Sequence, residues 1–540
     1  MTTPLTRTPA RSPASGTGPA PRLWQIQVVA GLGGFLAGVN TSTMDVALPT
    51  VSRHFGSSAS TASWTLLSYM LVTTVLVFVF GRAADLIGRR RMYLAGTALL
   101  TAGSLLCGLA PGIAWLIVFR CVQAVGAAAL LCNITALITD AFPARRLPTA
   151  LGVNVTVAAL AQVLGPALGG ALASGLGWRA VFWFNVPIGV AGLIWAGMIL
   201  RPGAPRAERE PFDHLGAVLS ALALGGLILA LSEGGALGWS SVPVVAGLAL
   251  FAVFTPLFLA VQARRRHPLV DLGLFADRAR SMAYLALFFM AMAYFAVVLL
   301  MSLYLQAASG MPPYRAGLHV LYVALAMAAA SPAAGRLRGR FGARALSSAG
   351  LVLAAAGLFA LSALIRPDMN STALAVCLLA VGAGVGLFMT PNTSSIMGSV
   401  PAERRGVANG VRQTAQNAGY AVSTALALAI ATSGLPGPTK QAAYAGTVSS
   451  LAPHTMDALT TGYKCALLSL GTTCVLALVA SLARGRDTSP AGTVTRRGRT
   501  AVPPAPDDDV APDWTEANVD RVDAARDAYD TARDSRTGTG

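Results

Sequence analysis

The feature that most constrains this chain is the alternation of long apolar stretches with short clusters of arginine. Hydrophobic residues make up 54% of the 540 residues, and charged residues only 12%. Soluble domains average about 25% charged residues, so this chain lacks the polar surface that a water-soluble fold needs. A bilayer core needs roughly 20 apolar residues per helix. Fourteen spans are predicted, at residues 26–47, 63–81, 92–109, 112–134, 149–173, 180–200, 214–232, 242–262, 281–305, 316–335, 345–365, 373–395, 406–432 and 463–483.

Basic residues are distributed unevenly between the loops that join these spans. With the N-terminus inside, the even-numbered loops hold 20 Lys and Arg and the odd-numbered loops hold five. Basic residues concentrate in cytoplasmic loops, so this asymmetry predicts a multi-pass plasma-membrane protein with both termini in the cytoplasm. The net charge of +17 therefore reflects topology, with the lipid bilayer as partner, and does not indicate nucleic-acid binding.

Two loops at corresponding positions resemble each other. The first reads GRAADLIGRRR (81–91) and the second GRLRGRFGAR (335–344); each has a glycine, a second glycine seven residues later, and then arginine. If spans 9–14 repeat spans 1–6, spans 7 and 8 are an insertion between two six-helix bundles. The predicted organisation is a disordered cytoplasmic N-terminus (1–23), an N-terminal bundle (24–200), a linker with two inserted helices (201–262), a C-terminal bundle (263–483) and a disordered cytoplasmic tail (484–540).

The first of these loops is the most specific motif in the chain. Gly81 allows one helix end to pack closely against a neighbour, and Gly88 permits a tight turn. Asp85 is a carboxylate that can bond to a helix N-terminus or to arginine. Arg89 and Arg90 are expected to stay on the cytoplasmic face. A generic basic turn is the alternative, which the placed aspartate and glycines disfavour.

A second motif lies in the middle of the fourth span. Burying an arginine at a helix centre costs at least about 2.5 kcal/mol on insertion scales, so Arg120 is a candidate functional residue. Gln123 lies one turn away on the same face. A structural hydrogen-bonding role for Arg120 is the alternative.

A third motif, LGPALGG, lies in the fifth span. Pro166 removes a backbone donor and kinks the helix, while Gly165, Gly169 and Gly170 create a smooth face of small residues. Ordinary helix packing is the alternative interpretation.

All three motifs resemble signatures of the major facilitator superfamily. In that superfamily the loop motif is thought to latch the cytoplasmic side, the R-x-x-Q-x-x-G motif is associated with proton transfer, and the span-5 motif is found in exporters. Segments 39–49, 178–189 and 268–275 resemble the 14-span drug:proton antiporter family. The resemblance implies an all-α polytopic membrane protein with two six-helix bundles plus two extra central helices. It also implies a monomeric exporter of drugs, driven by the proton motive force without a metal or cofactor.

The chain departs from this family at two positions of span 1. The family usually carries aspartate at the position of Asn40 and asparagine at that of Asp45. Five residues correspond to about 140° of rotation on a helix, so the two side chains face different directions. We hypothesise that Asp45 is the main titrating group and that Arg120 tunes its protonation. A water-exposed vestibule position for Asp45 is the alternative.

Acids are scarce within the spans, which bears on the substrate. Amides are the expected lining of a substrate cavity that takes neutral or weakly acidic amphipathic molecules, such as an antibiotic exported by an actinomycete. The candidate cavity residues are Asn40, Asn133, Asn154, Gln162, Asn392, Gln413 and Gln416. The absence of a Walker loop and of hydrolase motifs argues against an ATP-driven pump and an enzyme. A proton-coupled importer and a transport-inactive sensor stay as alternatives.

Overall fold

The computed structural model describes residues 23–57, 59–201, 211–308, 311, 313–366, 369–435 and 453–484. The predicted disordered ends except residues 23 and 484, most of the linker and residues 436–452 of the long loop before the last span lie outside these residues. The last ten residues of that predicted loop, 453–462, are helical. The described residues form fifteen α-helices and two short 3-10 turns, with no β-strand among them. The helices are α1 (Leu23–Phe55), α2 (Ala59–Ile87), α3 (Arg89–Gly108), α4 (Ile113–Ala141), α5 (Leu147–Gly175), α6 (Trp178–Trp183), α7 (Asn185–Ile199), α8 (His214–Leu237), α9 (Val242–Arg264), α10 (Arg278–Ala308), α11 (Pro313–Phe341), α12 (Ala343–Leu364), α13 (Ser371–Gly398), α14 (Arg405–Ala431) and α15 (Pro453–Leu482).

Among the described residues, eleven segments are long and apolar enough to cross a membrane, and α6 with α7 counts as one of them. Helices also form at the three other predicted spans, as α3, α5 and α14. Helix α3 begins with three arginines, and α14 carries a polar face. The chain is therefore a polytopic helical membrane protein, while the full number of fourteen spans stays a prediction.

The predicted sixth span differs from the expectation of a single uninterrupted helix. It is divided into α6 and α7 at Phe184. Pro187 has no amide hydrogen to donate to the carbonyl group four residues earlier, which interrupts the regular hydrogen-bond ladder. Phe184 keeps helical dihedral angles (φ −55°, ψ −33°), so the two pieces continue in a helical path as one membrane-crossing length.

The helix contacts follow the same pattern in the first and last parts of the chain. Helix α3 packs along α4 as α12 packs along α13, α2 packs on α4 as α11 packs on α13, and α1 packs on α5 as α10 packs on α14. We call α1–α7 the N-terminal bundle and α10–α15 the C-terminal bundle. The inserted helices α8 and α9 form a closely packed pair, and α8 contacts both α2 and α14.

The two bundles meet through two matching helix pairs, α2 with α14 and α5 with α11. A Cβ atom on Gly81 would lie 2.6 Å from the carbonyl oxygen of Gly406. One on Gly335 would lie 2.6 Å from that of Pro148. Gly81 and Gly335 begin the two repeated loops, so both contacts lie on the side where those loops are found. We call this side the arginine-rich face.

Candidate functional site

Arg120 lies at the centre of the N-terminal bundle, where its side chain joins four elements. It is 1% exposed. Its guanidinium donates to Oδ1 of Asn40 on α1 at 2.5 Å and to Oε1 of Gln123 on α4 at 2.7 Å. Its Nε donates to the carbonyl oxygen of Thr65 on α2 at 3.0 Å. The amide of Gln123 in turn donates to the hydroxyl of Ser104 on α3 at 2.7 Å.

Aromatic and glycine residues complete the surroundings of this guanidinium. Its central carbon lies 4.2 Å from the ring centroid of Tyr69 and 5.9 Å from that of Phe182. A cation over an aromatic face in a desolvated site gains about 2 kcal/mol. Gly103 brings α3 close to α4, because a Cβ there would lie 2.7 Å from the Cα of Gln123. The site is thus a fixed cation whose contacts couple α1, α2, α3 and α4.

The predicted titrating residue Asp45 lies on α1, five residues beyond Asn40. Its side chain is outside the described residues. Asn40, which was predicted for the substrate cavity, is instead fully buried against Arg120. An amide therefore occupies a position next to the guanidinium where a carboxylate would form an ion pair.

Asp85 joins the two bundles at the arginine-rich face. Its carboxylate oxygens accept hydrogen bonds from the backbone amides of Gly406 and Val407, each at 3.0 Å. These amides belong to the first turn of α14, where unsatisfied donors and the helix dipole favour a negative charge. Arg89 lies 3.4 Å from the same carboxylate. The aspartate of one bundle thus caps a helix of the other.

A second acid, Asp140 at the end of α4, strengthens this junction. It bridges Arg89 and Arg405, with a nitrogen–oxygen distance of 2.7 Å to each. Arg89 also donates to the carbonyl oxygen of Ala402 at 2.9 Å. We refer to Asp85, Arg89, Asp140 and Arg405 as the latch cluster.

Two other residues of the predicted latch act within the N-terminal bundle. Gly88 has a φ of 100°, which strongly favours glycine, and it forms the turn between α2 and α3. Arg90 donates to the carbonyl oxygen of Gly197 on α7 at 3.0 Å. These contacts stay within one bundle, unlike those of Asp85 and Arg89.

The glycines of the span-5 motif bring α5 against α1. A Cβ on Gly165 would lie 2.2 Å from the hydroxyl oxygen of Ser42, and one on Gly169 would lie 2.5 Å from the carbonyl oxygen of Thr43. Gly170 is half-buried on the same helix. Pro166 lies on α5, and its side chain is outside the described residues. The glycine face is therefore a tight α1–α5 contact.

The predicted cavity amides fall into two groups. Gln162 of α5 is exposed and accepts a hydrogen bond from the hydroxyl of Tyr294 on α10, so it lies between the bundles. Gln413 donates to Asn417 at 3.3 Å, and Asn417 donates to the hydroxyl of Thr74 on α2 at 3.1 Å. Gln162 and Gln413 thus belong to the junction of the two bundles.

Two other amides do not fit the cavity role expected for them. Asn133 is fully buried and donates to the carbonyl oxygen of Arg89 at 3.2 Å. Asn392 is fully buried in the C-terminal bundle, where it donates to the carbonyl oxygen of Ala283 at 3.2 Å. Both tie neighbouring helices together because a buried amide must find a partner. Asn154 is partly exposed on α5.

The sequence interpretation missed Arg412 of α14. This residue is buried, and its guanidinium donates to the side-chain oxygens of Asn409, Gln413 and Gln416 at 2.8, 2.9 and 3.1 Å. The signal was the one that identified Arg120, an arginine inside an apolar span. Amides close to it in sequence made the stretch resemble an ordinary polar helix face.

Comparisons with known proteins give a consistent set of relatives. The sequence profile of the Major Facilitator Superfamily matches residues 30–424 and 283–520. The multidrug resistance protein Stp of Mycobacterium tuberculosis is 36% identical, over 74% of each chain. The tetracenomycin C resistance and export protein of Streptomyces glaucescens is 30% identical over 77% of each chain. The riboflavin transporter RibZ of Clostridioides difficile is 29% identical over 74% of this chain and 87% of its own.

Solved structures show the same fold. The human organic anion transporter MFSD10 superposes with a TM-score of 0.60, covering 85% of this chain and the whole of its own. The sequence identity is 14%, so this likeness concerns the fold alone.

Proposed function

Because the chain belongs to the Major Facilitator Superfamily, a family of membrane transporters of small molecules, we propose that it exports hydrophobic or amphipathic molecules in exchange for protons. It acts as a monomer in the plasma membrane, with both termini in the cytoplasm. Relatives named for multidrug resistance and for tetracenomycin C export support this function. The uneven distribution of arginine supports the orientation.

The observation that carries the proposal is the closure of the bundles at the arginine-rich face. The carboxylate of Asp85 caps α14 of the opposite bundle, while Asp140 links Arg89 to Arg405. These contacts join the two bundles through a few polar groups, which can break and re-form together. Such a junction is what alternating access requires, because the bundles rock about a central site and close one face at a time.

The direction of transport rests on α5. Its glycines Gly165 and Gly169 approach Ser42 and Thr43 of α1 closely, as in the span-5 motif that the exporters of this superfamily carry. The relative named as a riboflavin transporter supports a second candidate, a proton-coupled importer. The glycine face favours export.

Coupling to protons rests on the centre of the N-terminal bundle. Arg120, Gln123 and Asn40 form one hydrogen-bonded chain, and Asp45 lies on the same helix as Asn40. We assign proton binding to Asp45, and to Arg120 the part of a fixed cation that favours its ionised form. Movement between α1 and α4 then changes the proton affinity during the cycle.

The test is proton-gradient-dependent efflux from cells that express the chain, measured with a panel of antibiotics and dyes. We expect lower accumulation of at least one compound, and its loss upon addition of an uncoupler or substitution Arg120→Ala. Arg366→Ala provides a matched control, because Arg366 is exposed between α12 and α13.

Three results would contradict the proposal. Increased accumulation upon expression would indicate an importer. Efflux that persists with an uncoupler would exclude coupling to protons. Unchanged accumulation of every compound would favour the transport-inactive sensor.

A further inference from the structure

The charge of Arg412 lacks an acidic partner within the described part of the chain. The side chain is in α14, and the residue is 8% exposed. Its three hydrogen-bond partners, at 2.8–3.1 Å, are the amide oxygens of Asn409, Gln413 and Gln416. Among the described residues, no carboxylate lies within ion-pair distance of its guanidinium. Amides carry no net charge, so the site keeps a full positive charge.

Burying a positive charge without an opposite charge nearby costs free energy. A buried cation is stable when hydrogen bonds and an opposite charge replace the water that it has lost. The amides supply the hydrogen bonds, and the opposite charge has to come from elsewhere. Within a membrane protein, a buried ionisable residue of this kind indicates a substrate or ion pathway.

The position of Arg412 is the junction of the two bundles. Asn409, one turn earlier, donates to the carbonyl oxygen of Cys132 on α4 at 2.8 Å. Gln413, next to Arg412, donates a hydrogen bond to Asn417, which in turn donates to the hydroxyl of Thr74 on α2. The charge therefore lies on the helix that both α2 and α4 of the opposite bundle contact.

Aromatic residues follow this polar group along α14. The ring of Tyr420 stacks on that of Phe295, with centroids 4.7 Å apart and an interplanar angle of 24°. Tyr294 lies beside them, with its ring centroid 6.3 Å from that of Tyr420, and its hydroxyl donates to Gln162 of α5. Gln416 connects the polar group around Arg412 with the aromatic residues, because its side chain accepts a hydrogen bond from Arg412 and donates one to the hydroxyl of Tyr420 at 2.6 Å. A cation beside aromatic rings matches a flat organic molecule that carries a negative group.

We propose that Arg412 binds the negative group of the transported molecule, so that the preferred substrates are aromatic organic acids bearing a carboxylate or an acidic phenol. A guanidinium offers a planar pair of donors to a carboxylate. This inference rests on the proposed transport function and specifies its substrate class.

Binding to the purified full-length chain in detergent tests the inference without requiring transport. The probes are fluorescein, an anionic xanthene with a carboxylate, and rhodamine 123, a cationic xanthene ester. Fluorescence polarisation measures the affinity for each probe. Wild type is expected to bind fluorescein more tightly than rhodamine 123. Arg412→Gln is expected to weaken fluorescein binding by at least about tenfold, as expected for the loss of one charge-assisted hydrogen bond.

Matched variants separate the role of the charge from folding. Arg412→Lys keeps the charge and should retain part of the fluorescein affinity, and Arg366→Gln removes an exposed arginine and should have no effect. If Arg412→Gln does not fold, the wild-type chain decides: binding of rhodamine 123 as tight as that of fluorescein, or tighter, would overturn the proposal.

The proposal is also overturned if Arg412→Gln leaves the affinity for fluorescein unchanged, or if it lowers the affinities for fluorescein and rhodamine 123 by the same factor. It is likewise overturned if the wild-type chain does not bind fluorescein. These results are independent of the efflux assay. Export of neutral compounds without fluorescein binding would leave the transport function intact and remove only the assignment of Arg412. Selective binding of fluorescein without export of any compound would support the assignment of Arg412 and contradict the proposed export function.

Discussion

Three of the hydrogen-bond acceptors of Arg120 are groups that do not titrate. The acceptors at 2.5–3.0 Å are the amides of Asn40 and Gln123 and the carbonyl oxygen of Thr65. None of these titrates in the physiological range, and an arginine stays charged. We therefore expect the proton carrier to be a carboxylate, and Asp45 is the candidate on α1.

Substitution Asp45→Asn is expected to abolish drug-dependent proton flux, because it removes the one acid on α1 while keeping a side chain of similar size. Drug binding should persist. The measurement is proton uptake by proteoliposomes upon addition of an exported compound. Asp277→Asn, an exposed acid at the start of α10, should behave as wild type. Proton flux that survives in Asp45→Asn would remove Asp45 from this role.

At the scale of single residues, the sequence predicts neighbours along a helix better than neighbours across helices. The three-residue spacing of Arg120 and Gln123 predicts their shared face, and the structure places them 2.7 Å apart. The contact between Arg120 and Asn40 depends on how α1 packs against α4, which no local pattern specifies. The hydrogen-bond partners of Arg412 lie within four residues of it, so this polar cluster could have been anticipated from the sequence of the predicted span 406–432.

Close helix packing in the N-terminal bundle depends on glycines that leave no room for a side chain. A Cβ on Gly126 of α4 would lie 2.3 Å from the backbone nitrogen of Leu100 on α3, and one on Gly96 of α3 would lie 3.0 Å from the carbonyl oxygen of Gly126. Small residues allow membrane helices to approach each other and gain van der Waals contact. This contact holds α4, and therefore Arg120, at a fixed distance from α3.

Substitution Gly126→Ala is expected to lower the free energy of unfolding by about 1–3 kcal/mol, because the added methyl group forces two backbones apart. The thermal unfolding midpoint in detergent is the measurement. Gly192→Ala on α7 is the matched control, since a Cβ there meets nothing within 4 Å. That variant should unfold at or above the wild-type temperature. Equal midpoints for the two variants would contradict the packing argument.

At the scale of helices, apolar length predicts most of the structure. Helices form at every predicted span, and the break at Pro111 separates α3 from α4 as expected. The division of the sixth span was not foreseen, although Pro187 carries the signal for it. The sequence predicts helix contacts only near the two repeated loops, because a repeat implies equivalent positions in the two bundles.

At the scale of the molecule, the two junctions between the bundles, α2 with α14 and α5 with α11, have equivalent close contacts but differ in charge. Gly81 and Gly335 make equivalent close contacts with α14 and α5. Asp85 follows Gly81 and caps α14, whereas Gly339 holds the corresponding position after Gly335. The α2–α14 junction therefore carries the acid of the motif, and the α5–α11 junction has glycine at the corresponding position. Opening of the arginine-rich face should depend most on Asp85.

Substitution Asp85→Asn is expected to favour the state in which the arginine-rich face is open. Cys132 lies on α4 and is fully buried in the closed state, where Asn409 of α14 donates to its carbonyl oxygen, so its thiol reports opening. With the other five cysteines replaced by alanine, a maleimide should label Cys132 at least about tenfold faster in Asp85→Asn. Loss of a hydrogen bond to a charged group costs about 1.5–3 kcal/mol, which corresponds to that change in the equilibrium.

Asp277→Asn provides the matched control for this labelling experiment. Asp277 is an exposed acid that, like the buried Asp85, accepts a hydrogen bond from a helix N-terminus, in its case from the amide of Ala279 at 2.8 Å within its own bundle. Removing its charge alters a helix cap without touching the junction, so the labelling rate should match wild type. Equal labelling rates in Asp85→Asn and wild type would mean that the glycine contacts alone hold the face closed. An equal increase in the labelling rate of both variants would assign the effect to the loss of a helix cap in general. Only an increase confined to Asp85→Asn would identify the Asp85 carboxylate as the group that holds the face closed.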